Sequence, residues 1–330
     1  RDFCLSRGLG DVYKRQVTRI YSKNKAYTGL QYSTRIYVGD YAFSNSIEAL
    51  AQEANGVKRI GVCRMDVDNP GQAFVSGFER PEKASAQERE HFVTISRTAA
   101  FSRQMSLFFK CYINDILSGR FESKPALAVT VVYSGGDDVF LLGAWNDVVE
   151  AALRIRQAFT AFSCGALTIS AGLALVDDHY PVRLSAAASG DLEDLAKQEP
   201  DKDVVCLFES AHCYGWNTFT GRVLGEKKAA LEAFFGARGQ ERGTAFLYRT
   251  LDLLRTAQDP KDGKLQLARY AYLLARLEPP RTSPAFGAYR TFADKMYRWA
   301  LNKTDRAELI TAIYLHVYEN REGDTDGIQQ

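Results

Sequence analysis

Residues 126–145 constrain this chain more than any other stretch. Two apolar runs rich in β-branched residues, 126–133 and 139–145, flank Ser134-Gly135-Gly136-Asp137-Asp138. Gly-Gly tolerates the positive φ angles of a tight turn, so the stretch reads as a β-hairpin with acid at its tip. Apolar residues at nearly every position predict strands buried on both faces, in the middle of a sheet. Two adjacent carboxylates at a buried tip repel each other and resist desolvation, and a divalent cation relieves both difficulties. Asp after Gly is also ordinary turn chemistry, so the hairpin alone leaves metal site and turn evenly matched.

A second acidic strand end tips the balance. Residues 59–65 form an apolar run that leads into Asp66-Val67-Asp68-Asn69. A strand ending in Asp-x-Asp, followed by a hairpin ending in Asp-Asp, is how palm-type nucleotidyl transferases assemble two metals. Neighbouring strands lie about 5 Å apart, close enough for carboxylates on both tips to share ions.

The rest of the pattern supplies the fold. After the first strand, Asn69-Pro70 reads as a helix cap with proline at the first helical position. The charged segment 79–90 reads as an exposed loop. A long amphipathic helix follows, with Phe92, Ile95, Ala99, Met105, Phe108 and Tyr112 on one face and Ser118-Gly119 at its end. Beyond the hairpin come a helix capped by Asn146 and running to Phe162, a strand at 167–176, a helix at 181–197 and a strand at 204–208. The order β-α-β-β-α-β is a ferredoxin-like split βαβ unit, which sets the first strand beside the hairpin. From Trp216 onward the pattern is helical: 223–235, 244–256, 265–277, 286–301 and 305–321, with breaks at Asp259-Pro260, Pro279-Pro280 and Lys303-Thr304. The fold class is therefore α+β, a ferredoxin-like palm followed by an all-α bundle. The expected division is a non-native leader at 1–16, a remnant of a preceding region at 17–56, the palm at 57–212 and a separate helical domain at 213–330. In that domain Phe246, Tyr248, Leu251 and Leu254, and Tyr270, Leu273, Leu274 and Leu277, read as core stripes. Arg249, Arg255, Arg269, Arg276, Arg290 and Arg298 offer either a solvated surface or a nucleic-acid face.

Composition closes off other classes. A net charge of +2 gives no overall attraction to nucleic acid. No apolar run approaches the ~20 residues of a membrane span and no secretory signal is visible, so a cytoplasmic location is expected. The six cysteines contain no Cys-x-x-Cys pair and read as free buried thiols; Cys206, His212 and Cys213 do not complete a zinc set.

These motifs together resemble the large, palm-containing subunit of type III CRISPR effector complexes in its III-A (Csm) form. The matching residues are the run Arg64-Met65-Asp66-Val67-Asp68-Asn69, Ser96-Arg97-Thr98, the stretch 133–141, and Leu167-Thr168-Ile169-Ser170-Ala171-Gly172. In the helical part they are 268–276 and Ile310-Thr311-Ala312-Ile313-Tyr314, so the resemblance spans about 35–321.

The resemblance implies a palm that binds ATP and makes cyclic oligoadenylate in antiviral defence, by attack of one ATP 3′-hydroxyl on the α-phosphate of another. It implies two Mg²⁺ or Mn²⁺ ions, with Asp66 and Asp137 bridging, Asp138 as a third ligand and the Val67 carbonyl as a fourth. Asp68 is expected to orient its loop. Ser134, Gly135 and Gly136, the amides of Gly71 and Gln72, and Lys197 are expected to meet the nucleotide. Pro70, standing where the family commonly has leucine, has no N–H to offer. The implied partners are other subunits of the effector complex and, through them, guide and target RNA, with no membrane. No histidine (His91, His179, His212, His316) is followed by aspartate, so the HD nuclease motif of that family is absent from this sequence. Two other readings stand beside it: a diguanylate-cyclase-like enzyme, against which Val139 and the helical region count, and a non-catalytic scaffold of an RNA-guided complex.

Overall fold

The computed structural model describes residues 20–25, 33–80, 82–83, 85, 88, 90–120, 123–236, 241–257 and 263–321. The expected leader, the Asp259-Pro260 break and Cys4 lie outside the described residues. In chain order the first elements are β1 (Ile20–Lys23), β2 (Ser33–Ile36), α1 (Ile47–Gln52), β3 (Ile60–Val67), α2 (Pro70–Ser76) and α3 (Ile95–Leu107). A π-helical turn (Phe108–Tyr112) joins α3 to α4 (Ile113–Leu117), followed by β4 (Val129–Gly135), β5 (Asp138–Ala144), α5 (Trp145–Phe162), β6 (Ile169–Val176), α6 (Val182–Gln198), β7 (Val204–Leu207) and β8 (Cys213–Gly215). The helical half comprises α7 (Trp216–Thr218), a π-helical run (Phe219–Lys228), α8 (Ala229–Phe235), α9 (Glu241–Thr256), α10 (Gly263–Ala275), α11 (Phe286–Leu301) and α12 (Lys303–Asn320).

The main sheet has the order β4-β5-β3-β6-β7-β8. Its first four strands are the expected ferredoxin-like set, with β3 antiparallel to both β5 and β6. β7 joins parallel to β6, and β8 closes the sheet antiparallel to β7, past the expected palm boundary at 212.

The hairpin does not lie in mid-sheet: β4 is the edge. Its apolar outer side is protected by the segment before β3, where Val131 N–H donates to the Tyr41 carbonyl at 2.8 Å and Phe43 N–H to Val129 at 3.0 Å. Asn114 pins that segment, accepting from the Asp40 and Tyr41 amides at 2.9 Å and donating to Val38 at 2.9 Å. Residues 38–54 are thus built into the palm, which explains why the hairpin strands can be so apolar at an edge.

The long helix is longer than one period. Met105, Phe108, Phe109, Ile113, Ile116 and Leu117 are buried, whereas Ile95, expected on the inner face, is 90% exposed and Tyr112 is also exposed. Ile95 is the first residue of α3 and lies ten positions, or about 280° of helical rotation, from Met105, so it falls off the inner face; the π turn adds a residue to one turn and takes Tyr112 out of phase. Two expected caps also differ. Asn69 adopts φ 51° and makes no side-chain cap, while α5 starts two residues early, with Ala144 at its cap, and the Asn146 side chain instead accepts from Asn55 N–H at 2.8 Å.

One hydrophobic core runs without a break from the sheet into the helices, so the bundle is not packed separately. Trp216 Nε1 donates to the Ile169 carbonyl at 2.9 Å, and Trp145 meets Tyr318 edge-on at 6.0 Å. The stripes of α9 and α10 are buried through Phe246, Leu251, Leu254, Tyr270 and Leu274, but Tyr248 faces solvent. Cys206 and Cys213 are not free thiols: directly opposite each other on β7 and β8, they form a disulfide. Nothing in their spacing of seven suggested it, because the pairing depends on β8, a strand of three residues that carries no periodic signal.

Candidate active site

Asp66 is the penultimate residue of β3 and stands directly opposite Asp138, the first residue of β5. The Val67 N–H donates to the Asp137 carbonyl at 3.1 Å, which stitches the tip of the hairpin to the end of β3. The hairpin loop is Gly136-Asp137. Gly136 takes φ 66°, which a side chain would resist, and the glycine-first loop lets β4 and β5 twist together. The register therefore gathers Asp66, Asp137 and Asp138 at one end of two neighbouring strands.

Alternation along β3 sends Arg64 and Asp66 to the face that α6 partly covers. From the last turn of α6, the Lys197 ammonium forms an ion pair with Asp66 Oδ2 and lies 3.4 Å from Glu193 Oε1. Arg64 Nε is 3.6 Å from the other Glu193 oxygen. On the outer side, the half-exposed Tyr133 stands near Asp138, close enough for the two to act on each other's titration. It reaches there because β4 shifts register between Val131 and Tyr133, a bulge that re-aims the side chain.

The electrostatics follow from this crowding. Burial raises the Asp138 carboxyl above the usual range, and the charges of Asp66 and Asp137 push the same way. Burial also raises Asp66, although the Lys197 hydrogen bond and charge pull it down. For Lys197, burial favours the neutral amine, but Asp66 and Glu193 outweigh it and the ammonium is held above its ordinary value. The Asp138 charge raises the Tyr133 phenol.

Other expected residues are placed differently. Asp68 is 4% exposed and turned inward, its Oδ2 accepting from Thr168 Oγ1 at 2.7 Å and from Asp203 N–H at 3.1 Å. Ser134 is not brought to the acids: its hydroxyl donates to the Phe109 carbonyl at 2.6 Å, because alternation along β4 points it toward the π turn. Gly71, at the start of α2, faces open space. Among the described residues, the ligand atoms of Asp177, Asp178 and His179 come within 4.8 Å of one another, an exposed trio at the opposite end of the sheet; Asp66, Asp137 and Asp138 stand wider apart. Two of the helical arginines are engaged within the chain. Arg255 lies over the Tyr314 ring and 3.7 Å from Glu209, and Arg298 pairs with Asp294 at 2.6 Å.

The donor set suits a divalent cation. Asp66 Oδ1 is buried and accepts no hydrogen bond, a costly state for an anionic oxygen, while its other oxygen already holds a positive charge in the form of Lys197. Hard oxygen donors from three carboxylates at a strand end are what Mg²⁺ or Mn²⁺ takes. The sequence did not single out Glu193, although its i, i+4 spacing to Lys197 on one helix was visible. The Tyr133 contact had no such signal, since it depends on the bulge.

Comparison with known proteins places this site in a family. Residues 59–206 match the family described as Cas10/Cmr2, second palm domain, and residues 232–322 match the second helical domain of the CRISPR RNA silencing complex Cmr2 subunit. A Cas10/Csm1 single-strand-specific deoxyribonuclease (subtype III-A) from Mycobacterium tuberculosis is 39% identical over 98% of this chain and 39% of its own length. Its counterpart from Enterococcus italicus is 38% identical over 93% of this chain and 37% of its own length. The chain thus spans about two fifths of the length of these relatives. Among solved structures, a Csm1-Csm4 cassette in complex with one ATP is similar at a TM-score of 0.68 and 25% identity, covering 92% of this chain and 43% of that one. A Csm1-Csm4 cassette in complex with cA4 is similar at 0.64 and 25% identity, over 91% and 44%. The chain belongs to the Cas10/Csm1 family of subtype III-A CRISPR systems, in the part that carries the second palm domain and the helices after it.

Proposed function

We propose that this palm binds ATP and joins AMP units into cyclic oligoadenylate, as part of a III-A effector complex. The observation that carries the reading is the register: Asp66 opposite Asp138, with the Asp137 carbonyl held by the Val67 amide. Two divalent ions, when bound, would neutralise charge growing on the α-phosphate and lower the pKa of the attacking 3′-hydroxyl.

The residues of the chain do the holding and aiming. Asp66, Asp137, Asp138 and the Val67 carbonyl would hold the ions. Tyr133 stands beside Asp138 and opposes the rise in its pKa that burial and the neighbouring carboxylates cause. Asp68 braces the end of β3 from behind through Thr168 and Asp203, so the acids sit on a rigid base. Lys197 is assigned to the triphosphate, within reach of Asp66. The bare surfaces of Gly71, with the Gln72 amide beside it, and of Gly136 let the nucleotide approach the backbone. Ser134 acts behind this surface, fixing the hairpin to the π turn.

The partners are proposed on the same footing: a Csm4-like subunit beside the palm, because the solved neighbours carry one, and guide and target RNA at second hand. Among the described residues no helix is long and apolar enough to cross a membrane, consistent with work in the cytoplasm. The test is the assembled complex with Asp137→Ala and Asp138→Ala, supplied with target RNA, ATP or GTP, and Mg²⁺. Loss of oligoadenylate with intact assembly supports the reading. Retained synthesis would favour a scaffold role for this palm, and preference for GTP a diguanylate-cyclase-like one.

A further inference from the structure

Four charges of alternating sign cross from β3 to α6: Arg64, Glu193, Lys197 and Asp66. Glu193 is 8% exposed, an unusual place for a carboxylate. Its two oxygens address different cations, Oε2 at 3.6 Å from Arg64 Nε and Oε1 at 3.4 Å from Lys197 Nζ. Lys197 meanwhile gives its hydrogen bond to Asp66. The ammonium therefore lies between two carboxylates, tightly on one and loosely on the other. Neutralising Arg64 alone would need only one oxygen of Glu193; the i, i+4 spacing on α6 brings the second oxygen to Lys197.

We propose that Glu193 is a positioning residue that provides a second seat for the Lys197 ammonium, so that Asp66 can pass from lysine to a divalent cation without leaving either charge unpaired. The inference rests on the metal reading of Asp66 given above. A cation approaching Asp66 must compete with Lys197 for it. Among the described residues, the carboxylates within 4.0 Å of Nζ are those of Asp66 and Glu193, so the displaced ammonium moves to Glu193. There it remains at the edge of the site, where a phosphate can meet it.

The test is Mn²⁺ binding to the whole 330-residue chain without nucleotide, read by electron paramagnetic resonance of the free ion, with urea midpoints as a check on folding. Glu193→Gln keeps the shape and removes the second seat, so Lys197 stays on Asp66 and Mn²⁺ binding weakens more than twofold. Lys197→Met removes the competitor, and Mn²⁺ binds at least as tightly as to the unsubstituted chain. The double variant Glu193→Gln with Lys197→Met then binds like Lys197→Met alone. If Glu193 acted only through its charge or through packing, its substitution would weaken binding equally in both backgrounds; that result, or a change under twofold in the single variant, overturns the proposal. If Asp66→Asn leaves Mn²⁺ binding unchanged, the metal reading itself fails and this inference falls with it.

Discussion

Gly172 of β6 lies against the backbone of α6, the helix that carries Glu193 and Lys197. A Cβ built there would lie 2.2 Å from Glu193 N and 2.3 Å from the Ser189 carbonyl oxygen, both backbone atoms of α6. Ordinary contact begins near 3.4 Å, so Gly172→Ala must push α6 off β6 by roughly 1 Å. Backbone cannot rotate away as a side chain can, and overpacking of this kind costs about 1–3 kcal/mol. Arg64 is the partner of Gly172 on the neighbouring strand, so the same shift pulls Glu193 from Arg64 and Lys197 from Asp66. Urea unfolding measures the first effect as a lower midpoint at unchanged slope. Nucleotide affinity of the folded variant measures the second, which is expected to fall more than twofold. A Gly172→Ala chain within 0.5 kcal/mol of the parent would refute the close packing, and normal affinity despite lost stability would separate α6 from the site.

Other expectations follow from the same structure. Lys227 is fully buried, with Nζ 2.7 Å from Glu308 Oε2 and 3.0 Å from Asp305 Oδ1. Lys227→Ala leaves the buried Glu308 with Arg222 alone, whose Nε lies 3.0 Å from Oε2, and its other oxygen still lacks a partner; the loss should stay below the ~3–5 kcal/mol of a fully unpaired buried charge in urea unfolding, and Lys227→Met with Glu308→Leu should recover most of it. Gly287 lies in α11 with open space where a Cβ would stand, so Gly287→Ala should stabilise by about 0.5–1 kcal/mol by calorimetry or urea. Burial lowers the pKa of His212, which shares a 2.7 Å hydrogen bond with Thr311. The unfolded chain therefore takes up the proton first, and stability should fall as pH drops below about 6.5. His212→Gln should flatten that slope in thermal melts at pH 7.5 and 5.5; an unchanged slope would assign it to other groups.

Much of the palm was legible because β3, β5 and β6 are buried on both faces, and their uninterrupted apolar runs announce themselves. Asp66, Asp137 and Asp138 stood out because acids at the ends of such runs need a reason. What stayed hidden depended on irregular backbone. The π turn at Phe108–Tyr112 shifted the inner face of the long helix, the bulge before Tyr133 re-aimed a ring, and the three-residue β8 brought Cys213 to Cys206. The edge position of β4 was also unreadable, since the segment that covers it, around Tyr41 and Phe43, makes only an isolated bridge at Ala42 and lacks a clear pattern of its own. Ser134 was misplaced for a simpler reason: one step along a strand reverses the face, and the hairpin motif does not say which face carries the chemistry.

The assignment of three acids to metal chemistry is tested most directly by anomalous diffraction from crystals of this chain grown with Mn²⁺ and a non-hydrolysable ATP analogue. The expected result is a pair of manganese peaks about 3.5–4 Å apart, bridged by Asp66 and Asp137 with Asp138 on one of them. Manganese only at Asp177, Asp178 and His179, or nucleotide bound with no metal at the tips of β3 and the hairpin, would contradict it.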